Sequence, residues 1–139
     1  MDSKKILYIS QEIFPYLPET DISVVSRKLP QTIQERGNEV RIFMPRYGII
    51  NERRNQLHEV IRLSGINMII NDNDHPLIIK VASIQSARMQ VYFIDNDDFF
   101  KRKTMYDIKP KQENDNDERA IFFVRGALEA IKKLRWIPD

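Results

Sequence analysis

Cysteine is absent from the 139-residue chain. Its absence removes disulfides, thiolate nucleophiles and cysteine-based metal sites together, and suits a reducing compartment. Glycine occurs only four times, at positions 37, 48, 65 and 126. Neither a Gly-x-Gly-x-x-Gly dinucleotide fingerprint nor a P-loop can be assembled from them. No segment approaches the ~18 apolar residues that a membrane-spanning helix needs. The opening "MDSKKILYIS" has too short an apolar run for a signal peptide, so a cytoplasmic protein with no membrane partner is expected. An excess of one charge is lacking too: 22 Lys and Arg against 20 Asp and Glu leave a net charge of +2, with the signs interleaved. No basic stripe is left to grip a nucleic acid. The two histidines, His58 and His75, have no second His or Cys at ligand spacing, and no Gly-x-Ser-x-Gly elbow presents a serine nucleophile. Neither a metal nor a cofactor is expected.

With 42% apolar residues, the chain is long enough for one domain with a real core and too short for two of ordinary size. "KILYIS", 5 to 10, is a β-branched and aromatic run that reads as a strand buried on both faces. From Ile22, the positions Val25, Leu29 and Ile33 have helical spacing, and Gly37 is placed to close that helix in a left-handed cap. Pro30 within it calls for a kink or a break. "NEVRIFMP", 38 to 45, completes a strand-helix-strand unit with parallel strands and a right-handed crossover. Residues 57 to 94 then turn β-rich, with runs separated by tight turns. A polar stretch, "IKPKQENDND", reads as a mobile loop. The last helix is expected over 117 to 134, with Ile121, Val124, Leu128 and Ile131 on its apolar face. In an α/β unit such a helix leads to a further parallel strand, so the sequence reads as the front portion of a longer protein.

Several groupings have an ordinary explanation. The acidic clusters at 71–75, 95–98 and 113–117 lack the glycine and glutamate positions of an EF-hand loop, and turns and helix caps account for them. "NERRN", 51 to 55, has arginines suited to an anion, but also the composition of a solvated loop. The unusual segment is "PYLPETDIS", 15 to 23. It follows the first strand, where an α/β protein commonly holds a ligand's phosphates, yet it has no glycine and two acids. The residues by themselves name no reaction.

The order of segments resembles the N-terminal domain of bacterial glycogen synthases and plant starch synthases. "QEIFPY" at 11–16, Leu29-Pro30, Gly37 and "EVRIFMPRYG" at 39–48 are similar to the family's opening strand, Ser-Glu-x-x-Pro-Phe, Leu-Pro helix and Pro-x-Tyr strand end. "VYFIDNDDFFKRKTMY" resembles its Phe-x-Arg…Tyr segment and places Phe100, Arg102 and Tyr106. "DNDERAIFFVRGALE" resembles its Asp-Asn-x-x-Arg helix, with Asp115, Asn116, Arg119, Arg125 and Glu129 in register. "WIPD", 136 to 139, is similar to the segment that precedes the family's His-x-His-Asp-Trp strand.

The resemblance implies a Rossmann-like three-layer α/β domain spanning 1–139, with a mainly parallel sheet and a β-rich insertion. It would be the N-terminal half of a GT-B glycosyltransferase whose remaining strands and C-terminal nucleotide-binding domain lie outside this chain. The implied reaction is retaining transfer of glucose from ADP-glucose or a related donor to the 4-hydroxyl of an α-1,4-glucan, without a metal. No catalytic residue of the family falls within this stretch, and the chain is expected to be inactive alone. Its partners would be an α-glucan acceptor, the sugar nucleotide, and the missing C-terminal portion of the same polypeptide. Aligned without a gap from Leu29-Pro30, Pro18 stands where the family has Lys, and Thr20 and Asp21 stand where it has Gly-Gly. Pro18, Glu19, Thr20 and Asp21 are thus expected on the donor side and Tyr106 in the cleft. Asn116 and Arg119 are expected either in the cleft or in structural roles, Asn116 capping the last helix and Arg119 pairing with acids. A lost charge-assisted hydrogen bond together with added carboxylate repulsion predicts roughly a hundredfold loss in donor use. The alternatives are a non-catalytic glucan-binding or regulatory relative, and a different sugar-nucleotide enzyme of GT-B type.

Overall fold

The computed structural model describes residues 2–105 and 115–139. β1 (Lys5–Ile9), α1 (Asp21–Glu35) and β2 (Glu39–Pro45) form the expected unit. Its strands are parallel, with Lys5 opposite Glu39 and Ile9 opposite Phe43. Then come β3 (His58–Glu59), β4 (Asn67–Ile70), β5 (Asn73–Pro76), β6 (Ile78–Ile84), β7 (Met89–Asp95), α2 (Asp97–Phe100) and α3 (Asn116–Leu134). The main sheet has the order β1-β2-β7-β6-β3, and β4 and β5 pair apart from it. β1, β2 and β7 run parallel, while β6 and β3 extend the sheet antiparallel. Most of the β-rich stretch is therefore built into the central sheet, and the separate piece is one hairpin. Its turn places Asn71 and Asp72 at positive φ, which Asn and Asp tolerate better than most residues.

Helices cover both faces. Tyr16, in the loop before α1, packs edge-on against Phe93 with ring centroids 4.9 Å apart. Gly126 of α3 lies against Ile94, the next residue along β7. Neighbouring residues on a strand point to opposite faces, so the two helices sit on opposite sides of the sheet. β2 and β7 are almost wholly buried between them. β1 departs from expectation: it is half-buried, because it lies at the sheet's edge with one flank unpaired.

Both long helices turn outward most of the positions their apolar spacing marks, Ile33 and Ile131 excepted. α1 turns Ser23, Ser26 and Pro30 inward, while Ile22, Val25 and Leu29 are between 44% and 54% exposed. Ser26 Oγ lies 2.8 Å from Ser10 Oγ and accepts from the Tyr8 hydroxyl at 3.4 Å, so small polar residues seat this helix on the sheet. The helix runs through Pro30 without a break. A proline costs a helix interior about 3 kcal/mol, a loss that burial of its ring here helps to offset. α3 buries Phe122, Phe123, Gly126, Ala127, Ala130 and Ile131; Ile121, Val124 and Leu128 stay outside. A Cβ on Gly126 would come within 2.8 Å of Ile94, so α3 approaches closely along its small-residue face. Gly37 closes α1 at φ +94.

The buried ends of β2 and β7 hold an ion network. Arg46 Nε lies 3.0 Å from Asp95 Oδ1, Lys80 Nζ is 3.0 Å from Asp95 Oδ2, and the same ammonium is 2.6 Å from Glu52 Oε1. Asp95 is 1% exposed, and two cations offset its desolvation. Burial alone would lower the Lys80 pKa, but the hydrogen bonds and charges of Glu52 and Asp95 outweigh it and raise it. His75 is buried, with Nδ1 3.1 Å from Asp98 Oδ2 and its ring against Phe99, a structural role.

Candidate functional site

The parallel strands β1, β2 and β7 end at one edge of the sheet, and in open α/β sheets that edge is where ligands are bound. A cavity of about 360 Å³ opens there. Ser10 and Gln11 follow β1 into it, Tyr47 follows β2, Phe100 and Met105 come from the segment after β7, and Asn116, Arg119 and Val124 from α3. Arg119 is buried. Its Nη1 donates to the Met105 carbonyl at 2.6 Å and to Asn116 Oδ1 at 3.2 Å. The guanidinium lies over two rings, 5.9 Å from the Tyr47 centroid and 5.4 Å from that of Phe100, a cation–π arrangement that fixes its plane. Tyr47 and Phe100 meet edge to face at 6.1 Å. The cavity thus joins amide and guanidinium donors with an aromatic floor, a combination suited to a polyhydroxylated or phosphorylated ligand.

Three local devices position these groups. Asn96 caps α2 by accepting from the N–H groups of Asp98 and Phe99. Gly48 lets the loop after β2 touch the segment after α2: a Cβ there would lie 2.0 Å from the Arg102 carbonyl oxygen. Arg102 in turn grips Asp115 with both ends of its guanidinium, at 2.6 and 2.7 Å, so the segment after α2 is tied to the start of α3.

The expected site residues do not all converge. Asn116 and Arg119 share the cavity. Glu19, Thr20 and Asp21 line a separate depression with Val24 and Val25. Thr20 is the N-cap of α1, in a reciprocal capping box with Ser23. The Ser23 hydroxyl also donates to the Pro18 carbonyl at 2.9 Å, and Asp21 sits in the helix's first turn, where a carboxylate is favoured by the dipole. Tyr106 and most of the polar stretch after it, residues 106–114, lie outside the described residues. Asn116 is not a cap: the N-cap position is Asp115, without a side-chain cap bond, and the Asn116 amide oxygen receives Arg119 instead. Gln11 and Tyr47 are not among the expected site residues; the signals for them are position, each lying just beyond the carboxyl end of a parallel strand, and membership of the segments "QEIFPY" and "EVRIFMPRYG".

This geometry defines a Rossmann-like α/β domain with its crevice at the strand ends. Residues 5–139 match the family described as starch synthase catalytic domain, and the chain belongs to that family. It is 38% identical over 142 residues to the glycogen synthase of Chlorobium chlorochromatii, covering 99% of this chain and 28% of that one. The glycogen synthase of Chlorobaculum tepidum is 39% identical over 137 residues, with 97% of this chain and 28% of the relative covered. Among solved structures, the catalytic domain of starch synthase IV from Arabidopsis thaliana, bound to ADP and acarbose, superposes with a TM-score of 0.81 at 22% identity. That match covers 99% of this chain and 27% of the neighbour, and it speaks for the fold. The chain spans little more than a quarter of the length of these relatives.

Proposed function

We propose that this chain is part of the N-terminal, acceptor-side domain of a cytoplasmic glucan synthase that transfers glucose from ADP-glucose or a related donor to the 4-hydroxyl of an α-1,4-glucan with retention. By itself it is inactive. The observation that carries this reading is convergence: Tyr47, Phe100, Asn116 and Arg119, all in segments that resemble family motifs, come together in one cavity at the strand ends, supported by the Arg102–Asp115 pair. The Arabidopsis neighbour, with ADP and acarbose bound, indicates the ligand classes such a cleft serves. One observation favours a second reading, a glucan-binding relative without transferase activity. The 18–21 loop carries two carboxylates, and its hydrogen bonds are spent on capping α1.

A chimera tests both readings. Residues 1–139 replace the matching quarter of the Chlorobium chlorochromatii synthase, and transfer from ADP-glucose to maltoheptaose is assayed alongside calorimetric titration with each. The expected result is transfer with roughly a hundredfold loss in donor use, largely recovered in the triple variant Pro18→Lys, Thr20→Gly, Asp21→Gly. Maltoheptaose binding without transfer, unrescued by the triple variant, would sink the enzyme reading and leave the glucan binder.

A further inference from the structure

A second cavity, of about 390 Å³, opens at the edge of the sheet opposite the crevice, where β2 and β7 begin, β6 finishes and α1 stops. Ser83 of β6 pairs with Gln90 of β7, and the parallel register of β2 on β7 sets Arg41 beside Gln90. Arg41, Gln90 and Ser83 therefore form one row across three strands, on one face of the sheet. Gln90 and Ser83 are exposed. Arg41 is partly buried, with its guanidinium 5.2 Å over the Trp136 ring, a stacking that fixes its plane.

Arg88 borders the same cavity from the turn that joins β6 to β7. Its φ is +52, in a region where glycine or asparagine is the usual choice. The turn is held from behind by α1: Gln34 Nε2 donates to the carbonyls of Ala87 and Arg88, each at 3.2 Å, and Arg27 Nη2 donates to Ser86 Oγ at 3.2 Å. Neither the Arg41 nor the Arg88 guanidinium has a hydrogen-bond partner among the described residues. Glu39 is the one acid in the lining. It lies 3.7 Å from Arg41 Nη2, beyond hydrogen-bond reach, and its Oε1 already accepts from the Trp136 indole N–H at 3.0 Å.

Two guanidiniums around one small cavity, with neutral amide and hydroxyl groups between them, match a phosphate carried on a hydroxylated carbon frame. A neutral sugar chain would find no free aromatic face in this lining. Tyr92 is 9% exposed and stacked on Phe43 with centroids 5.1 Å apart, and the nearby Trp136 is 5% exposed beneath Arg41. We propose that this cavity binds a small sugar phosphate, the phosphate held between Arg41 and Arg88 and the hydroxyls on Gln90, Ser83 and Gln85. The two cavities lie at opposite edges of one sheet, so an occupant here does not compete with a ligand at the crevice. The inference stands on this second cavity and not on transferase activity.

Amide chemical shifts of the isotope-labelled 139-residue chain, titrated separately with glucose 1-phosphate, inorganic phosphate and glucose, test this. Glucose 1-phosphate is expected to move the Arg88 and Gln90 amides with a dissociation constant of about 1 mM or tighter. Inorganic phosphate should move them more weakly, and glucose should leave them in place. Arg41→Gln and Arg88→Gly should each weaken binding about tenfold or more. Glycine suits the left-handed backbone, so Arg88→Gly should melt no lower than the parent chain, which separates a lost ligand contact from a lost fold. Added maltoheptaose should leave the bound shifts unchanged. The proposal is overturned if glucose 1-phosphate moves the Gln11 and Ala120 amides at the crevice instead, or if glucose or inorganic phosphate binds as tightly as the sugar phosphate. Binding that survives either arginine change overturns it as well. If the chain alone gives no folded spectrum, the same variants are made in the chimera described above and titrated by calorimetry, and equal binding by parent and variants is then the overturning result.

Discussion

Arg102 and Asp115 face each other squarely, Nη1 donating to Oδ1 at 2.6 Å and Nη2 to Oδ2 at 2.7 Å, and so tie the segment after α2 to the start of α3. The pair is only partly buried, with side-chain exposures of 25% and 21%, so screening moderates it. Arg102→Ala or Asp115→Asn is expected to lower stability by about 1 kcal/mol. In a double-mutant cycle followed by urea denaturation, the two losses should be less than additive. Additive losses would show that the contact contributes no coupling.

Asp95 has a larger effect because it lies at the centre of the buried network. Asp95→Asn keeps the shape but leaves Arg46 and Lys80 without their shared counter-charge. Breaking a buried pair from one side costs about 3–5 kcal/mol, and chemical denaturation should show a loss in that range. A loss under about 1 kcal/mol would mean that water reaches the network and screens it.

Two glycines make opposite demands. At Gly48 the backbone of Arg102 and Phe100 occupies the space a Cβ would take, so Gly48→Ala must push the loop after β2 away from the segment after α2, at a cost of about 1–3 kcal/mol or more. Gly37 has open space around it and a φ of +94, so Gly37→Ala suffers only from the left-handed backbone, about 1 kcal/mol. Thermal melts of the two variants should rank in that order. Only Gly48→Ala should also speed amide exchange at the start of α3.

Alkaline pH should unfold the protein through two groups. Burial pushes the Tyr16 hydroxyl up to about 12 from 10.0, and Lys80 is raised above 10.5 against its own desolvation by Glu52 and Asp95. A raised folded-state pKa contributes stability that is complete below the unfolded value and lost as pH climbs through the folded one for Lys80. For Tyr16 the same sign holds, since the folded state favours the protonated, neutral hydroxyl. Stability should therefore be flat with respect to these groups below about pH 10 and fall between about 10 and 12. Tyr16→Phe should shallow that fall, and an unchanged alkaline midpoint in this variant would exclude Tyr16 as a contributor.

Strands and helices were legible in the chain because their signals are local. The "KILYIS" run, the helical spacing after Ile22, Gly37 as a stop and the acids opening α3 each act within a turn or a few residues. So was the family, since motifs such as "DNDERAIFFVRGALE" are short and ordered along the chain. The tertiary structure decided what local patterns cannot carry. Apolar spacing pointed to Val25 and Leu29, and to Ile121, Val124 and Leu128, as core. The sheet instead took the face of α1 that carries Ser23, Ser26 and Pro30 and the face of α3 where Phe122 and Phe123 alternate with Gly126, Ala127 and Ala130. Likewise, that Arg119 would lie between Tyr47 and Phe100, while Thr20 spends its hydroxyl on a helix cap, depended on which strand ends the crossovers brought together.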